Sequence, residues 1–325
     1  MAVLGIESSA HTFGAGVVEN GAVLSNAKAM YRIESAGMIP SRAADTHSRN
    51  AARVVRSAMK QAGIGFDDIT AIGYTKGPGI GHCLRVGMLT AKTLSNTLGV
   101  PLYPVNHALA HIEIARHLSG FRDPLALYVS GGNSQILGMV SEPSRHYNVY
   151  GETFDIGVGN MLDNFARAAR LNPAWGSSVA RLAVGGHYIR MPYTVKGMDF
   201  TFTGLLTSAV KMLSEHKPSD VAFSLQETAF AMLAEATERA LLLTRRRNVI
   251  VCGGVAQSER LASMLRAMAA QHDSKFFVAP NEYNADNGAM IALVAEKMRN
   301  AHVRVPERDL TVMQKFRVDA VRLWW

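Results

Sequence analysis

The stretch VLGIESSAHTFGAGVV (residues 3–18) decides the fold, because LALYVSGGNSQILGMV (residues 125–140) repeats its rhythm. In the first stretch, residues 3–7 read as a buried strand, 8–12 as a turn and 13–18 as a second strand. A turn at Asn20-Gly21 and a third strand over 22–27 follow. In the second, residues 125–129 are the buried strand, 130–133 the turn and 134–140 the return, with 147–150 as the third strand. Each set is strand, tight turn, strand, turn, strand. The first turn of each carries small, hydroxyl or glycine residues, whose backbone N–H groups suit phosphate oxygens.

Apolar spacing predicts helices after each set: 42–61, 85–98 and 107–118 after the first, and 158–170, 204–215, 221–245 and 258–271 after the second. Short strands are expected at 71–75, 249–252 and 275–278, and a closing helix near 287–299. Two similar halves of mixed strands and helices predict an α/β protein of two facing lobes, with ligands bound between them. The expected domains are an N-terminal lobe over 1–122, completed by the helix near 286–300, and a C-terminal lobe over 123–285. Residues 301–325 form a C-terminal extension.

The 325 residues are 48% hydrophobic and 18% charged, a globular balance that excludes a disordered or fibrous chain. No basic stretch leads into a long apolar segment, so no signal peptide is expected. The longest apolar run, 249–256, falls well short of the roughly 18 residues that span a bilayer. The expectation is a cytoplasmic protein without a membrane segment, its cysteines Cys83 and Cys252 reduced. A net charge of +8 favours a polyanionic partner, although a local run such as Arg245-Arg246-Arg247 reads equally well as a solvated helix end.

The sharpest chemical signal is His107-Ala108-Leu109-Ala110-His111. On a helix, positions four apart share one face, so two imidazoles one turn apart can chelate a single cation. The alternative is two histidines on a partly exposed helix face. A zinc protease would need glutamate where Ala108 stands, which excludes that reading. Asp286, at a turn before the closing helix, is the candidate third ligand; aspartate there is commonly a helix cap, and the two roles need not exclude one another. Three glycine turns, at 76–81, 130–133 and 253–255, each fall at the end of a strand, as in a nucleotide cleft. Neither a Walker nor a Rossmann fingerprint is present, so the nucleotide site belongs to another class.

Together, GIESSAHTFGAG (5–16), KGPGIGHCLRVG (76–87), VNHALAHIE (105–113), YVSGGNSQ (128–135), GETFDIGVGNMLDNFAR (151–167), MDFTFTGLLT (198–207), CGGVA (252–256) and ADNGAMIA (285–292) span nearly the whole chain. In combination they resemble the tRNA threonylcarbamoyladenosine synthase family, called TsaD in bacteria and the catalytic subunit of the KEOPS complex in archaea and eukaryotes. The form Ser9-Ala10-His11-Thr12-Phe13-Gly14 is similar to the archaeal and eukaryotic branch.

The resemblance implies two ribonuclease-H-like lobes of the actin, Hsp70 and sugar-kinase fold with a nucleotide cleft between them. It implies a metal-dependent acyltransferase moving threonylcarbamoyl from threonylcarbamoyl-AMP to the adenosine 3′ of the anticodon, in tRNAs reading codons that begin with A. One iron or zinc ion would be held by His107, His111 and Asp286, with Tyr128 completing the shell. The nucleotide (ATP, AMP or the acyl-adenylate) would meet Tyr128, Val129, Ser130, Gly131, Gly132, Asn133 and Asp163. Departures fall on the rest of that site. The family's Pro-Gly-Gly-Pro segment is here 173–178, one residue longer and containing Gly176; its ribose-contacting glutamate corresponds to Ala180; its asparagine after GGVA corresponds to Ser258. Glu7, His11 and Lys76 occupy motif positions expected to face the cleft.

The implied partners are tRNA, a kinase-like ATPase, a small dimeric scaffold subunit and a regulator. In some archaea the kinase is fused to the C-terminus, and the aromatic ending Trp324-Trp325 raises the expectation of a continuing polypeptide here. The rival readings are an ATPase or phosphotransferase of the same fold, which would not need paired histidines, and a non-catalytic scaffold subunit, which would not need them either.

Overall fold

A computed structural model describes residues 1–31 and 38–325. The chain runs β1 (Ala2–Glu7), β2 (Thr12–Glu19), β3 (Ala22–Met30), α1 (Pro40–Ala62), β4 (Ile69–Gly77), α2 (Gly81–Leu98), β5 (Leu102–Asn106) and α3 (His107–Ser119). It continues β6 (Leu125–Val129), β7 (Ser134–Val140), β8 (His146–Glu152), α4 (Val158–Ala168), α5 (Gly176–Leu182), β9 (Val195–Lys196), β10 (Asp199–Phe200), α6 (Thr203–Met212) and α7 (Pro218–Thr244). The last elements are β11 (Asn248–Cys252), α8 (Glu259–Gln271), β12 (Lys275–Val278), α9 (Asn281–Asn284) and α10 (Gly288–Asn300). These fall into two compact units: Met1–Leu118 with Val140–His146 and Pro280–Trp325, and Ser119–Met139 with Tyr147–Ala279.

The first unit is built on a sheet of order β3-β2-β1-β4-β5. β1 pairs antiparallel with β2 and parallel with β4, and β4 pairs parallel with β5. Every residue of β1 is buried, as expected of a strand covered on both faces. One cover is the pair α2 and α1: α2 lies against β1 and β4, and α1 against β2 and β3, where its Ala43, His47, Ala51, Val54, Val55 and Ala58 recur at helical spacing. Gly63, at φ 70°, ends that helix in the left-handed conformation that glycine adopts without strain. The other cover is α10, and glycine sets how closely it approaches. A Cβ on Gly16 would stand 2.4 Å from the backbone nitrogen of Ala289, and one on Gly5 2.2 Å from that of Ala292. Helix and strand backbones therefore touch directly, which only glycine permits.

The second unit has sheet order β12-β11-β6-β7-β8, with β6 antiparallel to β7 and parallel to β11. Its core gathers Leu125, Leu127 and Val129 of β6, Phe165 of α4, and Leu225, Phe230 and Leu233 of α7. Three consecutive strands followed by inserted parallel strands recur in the same order in both sheets, as the repeated rhythm of residues 3–18 and 125–140 predicts. The fold is α/β, as expected. Cys83 and Cys252 are free thiols, both buried.

β5 has no counterpart in the sequence reading. Pro104 interrupts its short run, and a proline argues against a central strand. The structure puts β5 at the sheet's edge, where the missing N–H costs no ladder bond.

Candidate functional site

The first unit joins two histidines and a carboxylate. Asn106, the last residue of β5, accepts a hydrogen bond from Leu109 N through Oδ1 at 3.0 Å and so starts α3. His107 and His111 then fall one turn apart on one face, both buried, their rings 4.7 Å apart and nearly perpendicular. Asp286 arrives from the turn between α9 and α10. Its Oδ1 lies 3.3 Å from His111 Nε2 and 3.5 Å from His107 Nε2. Among the described residues these three form the group whose ligand atoms all lie within 4.8 Å of one another.

The capping alternative for Asp286 is excluded by its neighbour. Asn287 is the cap of α10, its Oδ1 accepting from Met290 N at 2.9 Å. The Asp286 carboxylate turns to the histidines instead. Two imidazole nitrogens and a carboxylate oxygen are the donor set of zinc and non-haem iron sites. Ligands at about 2.0–2.2 Å from a tetrahedral ion stand about 3.4 Å apart, which the two distances from Asp286 Oδ1 to the imidazole nitrogens match.

Behind His107 lies Glu7, fully buried at the end of β1. Its Oε2 accepts from Thr75 Oγ1 at 2.7 Å and faces His107 Nδ1 at 3.0 Å, while Oε1 accepts from Ser9 N at 2.5 Å. A proton on Nδ1 leaves Nε2 to face Asp286. Burial pulls the His107 imidazole down, but the Glu7 and Asp286 carboxylates outweigh it and push it up to about 9. His111 is drawn down, chiefly by burial. The close approach of α10 to β1 and β2 places Asp286: Gly288, two residues on, lies against Ala15 and Gly16 so tightly that a Cβ would meet Gly16 N at 2.3 Å.

The second unit holds the turn after β6. Ser130 N donates to Asn133 O at 2.8 Å, and Asn133 N to Ser130 Oγ at 3.1 Å. The start of α4 buttresses the turn: Gly159 N donates to Ser130 O and Asn160 N to Gly131 O, at 3.2 and 3.0 Å. The N-terminal donors of α4 are thus taken, Gly159 and Asn160 by the turn and Val158 by Ser134 Oγ at 3.0 Å. The N–H groups of the exposed Gly131 and Gly132 take part in none of the hydrogen bonds among the described residues. They are the donors left for an anion.

The remaining expected residues are spread over this unit. Tyr128 and Val129 are buried on β6, Tyr128 in register with Cys252 and Gln135. Tyr128 thus belongs to the second unit, whereas His107, His111 and Asp286 belong to the first. Asp163 accepts from Gly176 N at 2.7 Å and pins the start of α5, which also carries Ala180. Ser258 caps α8, its Oγ accepting from Leu261 N. In the first unit Lys76 donates to Asp309 O at 2.9 Å and lies over the Phe316 ring.

Thr75 and Asn106 escaped the sequence reading as site residues. The only local signal was position, each directly preceding a residue already singled out, Lys76 and His107.

A family profile described as "TsaD: tRNA N6-adenosine threonylcarbamoyltransferase" matches residues 22–293. A protein of Thermococcus kodakarensis named tRNA N6-adenosine threonylcarbamoyltransferase is 43% identical over 328 aligned residues, covering 100% of both chains. A Thermoplasma volcanium protein named "Probable bifunctional tRNA threonylcarbamoyladenosine biosynthesis protein" is 41% identical, covering 100% of this chain and 62% of that one. In fold, the chain is similar to the crystal structure of HypF from T. kodakarensis, with a TM-score of 0.67 and 16% identity, over 96% of this chain and 49% of that one. No helix among the described residues is long and apolar enough to cross a membrane.

Proposed function

We propose, since this chain belongs to the tRNA N6-adenosine threonylcarbamoyltransferase family, that it transfers a threonylcarbamoyl group from an acyl-adenylate to N6 of the adenosine 3′ of the anticodon in tRNA. The observation that carries the reading is the convergence of His107, His111 and Asp286 in a chain with this membership. In the reaction the amine nitrogen forms a bond to the carbamoyl carbon, the bond from that carbon to the phosphate oxygen breaks, AMP leaves and the amine gives up a proton. The amine is a weak nucleophile, so positioning and charge stabilisation supply the rate.

His107 Nε2, His111 Nε2 and Asp286 Oδ1 are the atoms that would hold one zinc or iron ion. Such an ion supplies Lewis acidity toward the carbamoyl carbonyl. Glu7 keeps the His107 proton on Nδ1, the side away from Asp286. The N–H groups of Gly131 and Gly132 receive the adenylate phosphate, and the +8 chain meets the tRNA backbone. The T. volcanium relative's bifunctional name, with this chain matching 62% of its length, supports a partner domain that is fused in that relative; the proposed partners are a kinase-like ATPase, a small dimeric scaffold and a regulator.

The test is a transfer assay with tRNA, threonylcarbamoyl-AMP and the accessory proteins, run beside metal analysis. The double variant His107→Ala/His111→Ala is expected to keep its circular dichroism, lose its metal and lose transfer. Full transfer by that variant would overturn the metal's role.

A further inference from the structure

α3 has a second face. Glu113 lies two residues beyond His111, about 200° around the helix, and so points away from the histidine pair. Its side chain has no exposure to solvent. Its donors converge mainly on one oxygen: Oε1 accepts from Arg116 Nε, and Oε2 accepts from Arg116 Nη2, Lys297 Nζ and Trp325 Nε1. Arg116 contributes Nε at 3.0 Å and Nη2 at 2.9 Å, Lys297 contributes Nζ, and Trp325 contributes Nε1 at 3.0 Å.

Lys297 belongs to α10, whose first turn follows Asp286 directly. The Glu113–Lys297 pair therefore ties together the two helices that present the three ligands: α3, bearing His107 and His111, and α10, which Asp286 precedes. Trp325 closes this tie from outside, its ring 6.0 Å from Lys297 Nζ. It is delivered by residues 309–325, which cross the unit beside the site's other motifs. Asp309 O accepts from Lys76, Phe316 O accepts from Asn106 Nδ2 at 2.9 Å, and Leu323 N donates to Arg145 O at 2.8 Å.

An ion pair in water contributes little and tolerates many geometries. With Glu113 shut from water and Lys297 largely buried, this pair holds one register, because any slip leaves a buried carboxylate unmatched. Metal ligands need that kind of register, since a working site tolerates only a few tenths of an ångström. We propose that Trp325, acting through Glu113, is a positioning residue for the metal ligands: it completes and seals the carboxylate cluster that fixes the histidine helix against the helix following Asp286. The inference rests on the reading of His107, His111 and Asp286 as a metal centre.

The experiment uses Co²⁺ as the probe on the full chain and on Trp325→Phe and Trp325→Ala. Trp325→Phe keeps an aromatic ring and removes only the N–H donor, so it guards against simple unfolding. Co²⁺ affinity, the visible ligand-field spectrum, hydrogen exchange of the α3 amides and thermal unfolding are followed together. The unsubstituted chain is expected to take one Co²⁺. Trp325→Phe is expected to remain folded, to bind Co²⁺ about ten-fold more weakly with an altered spectrum, and to exchange its α3 amides faster, with a larger loss in Trp325→Ala. Unaltered Co²⁺ affinity and spectrum in both variants, whatever their melting temperatures, would overturn the positioning role and leave the metal centre standing. No Co²⁺ uptake by the unsubstituted chain would overturn the metal centre and this role with it.

Discussion

Glu7 Oε2 and His107 Nδ1 lie 3.0 Å apart although 100 positions separate them in the chain. Strand β1 ends on the carboxylate and helix α3 begins on the imidazole. Each partner is buried, and Thr75 holds the carboxylate from the neighbouring strand. The contact selects which nitrogen of His107 faces Asp286.

Glu7→Gln is nearly isosteric and removes the charge that favours a proton on Nδ1. Outer-shell partners of ligating histidines are typically worth 10–100-fold in metal affinity. A drop in that range is expected for Zn²⁺ in competition with a chromophoric chelator. An affinity equal to that of the parent chain would remove Glu7 from the site.

Gly16→Ala tests how α10 places Asp286. The added Cβ would stand 2.4 Å from Ala289 N and 2.7 Å from its Cα, backbone atoms that cannot rotate away. Overpacking of this kind costs about 1–3 kcal/mol. Denaturant unfolding should show a loss of that size, and metal content should fall because Asp286 moves with its helix. Undiminished stability would show that helix and sheet are not packed this tightly.

Gly157→Ala addresses the turn after β6. Its Cβ would lie 2.4 Å from Gly131 O and 2.7 Å from the carbonyl carbon of Gly132, pushing the turn out of shape. Calorimetry should record weaker AMP binding, by about ten-fold or more, with metal content unchanged. AMP binding as tight as in the parent chain would exclude the turn as the phosphate site.

Asp155 supplies a pH signature. Burial would raise its carboxyl, but the N–H groups of Phe202, Thr203 and Ile156 outweigh that and lower it from 3.8 to about 2. The folded value lies below the unfolded one, so its contribution is complete above about pH 4 and fades as pH falls toward 2. Asp155 accepts from Phe202 N and Thr203 N, at the start of α6. Loss of a cap costs about 1 kcal/mol. Asp155→Ala should therefore be less stable than the parent at pH 6, with the gap narrowing as pH falls from about 4 through about 2; a gap as large at pH 2 as at pH 6 would place the effect elsewhere.

What was legible in the sequence follows from the range of the interactions. The strand rhythm of residues 3–18 and 125–140, the helical spacing of His107 and His111, and the glycine turn at 130–133 are patterns within a few residues, set by the periods of helix and strand. β5 was lost because Pro104 obscures a short run and only the sheet's order reveals an edge. Asp286 was visible as a turn residue, but its two possible roles were separated by Asn287, which took the cap.

The sequence by itself determined the two repeated α/β halves, the paired imidazoles and the family likeness, since these rest on local order along the chain. Only the tertiary structure decided that Glu7 orients His107, that Asp286 faces both histidines, and that Trp325 closes a cluster behind them. These partners are 100, 175 and 212 positions apart for Glu7–His107, Asp286–His111 and Trp325–Glu113. They meet because strand pairing and the glycine-lined approach of α10 fold the chain back on itself, and no local period carries that information.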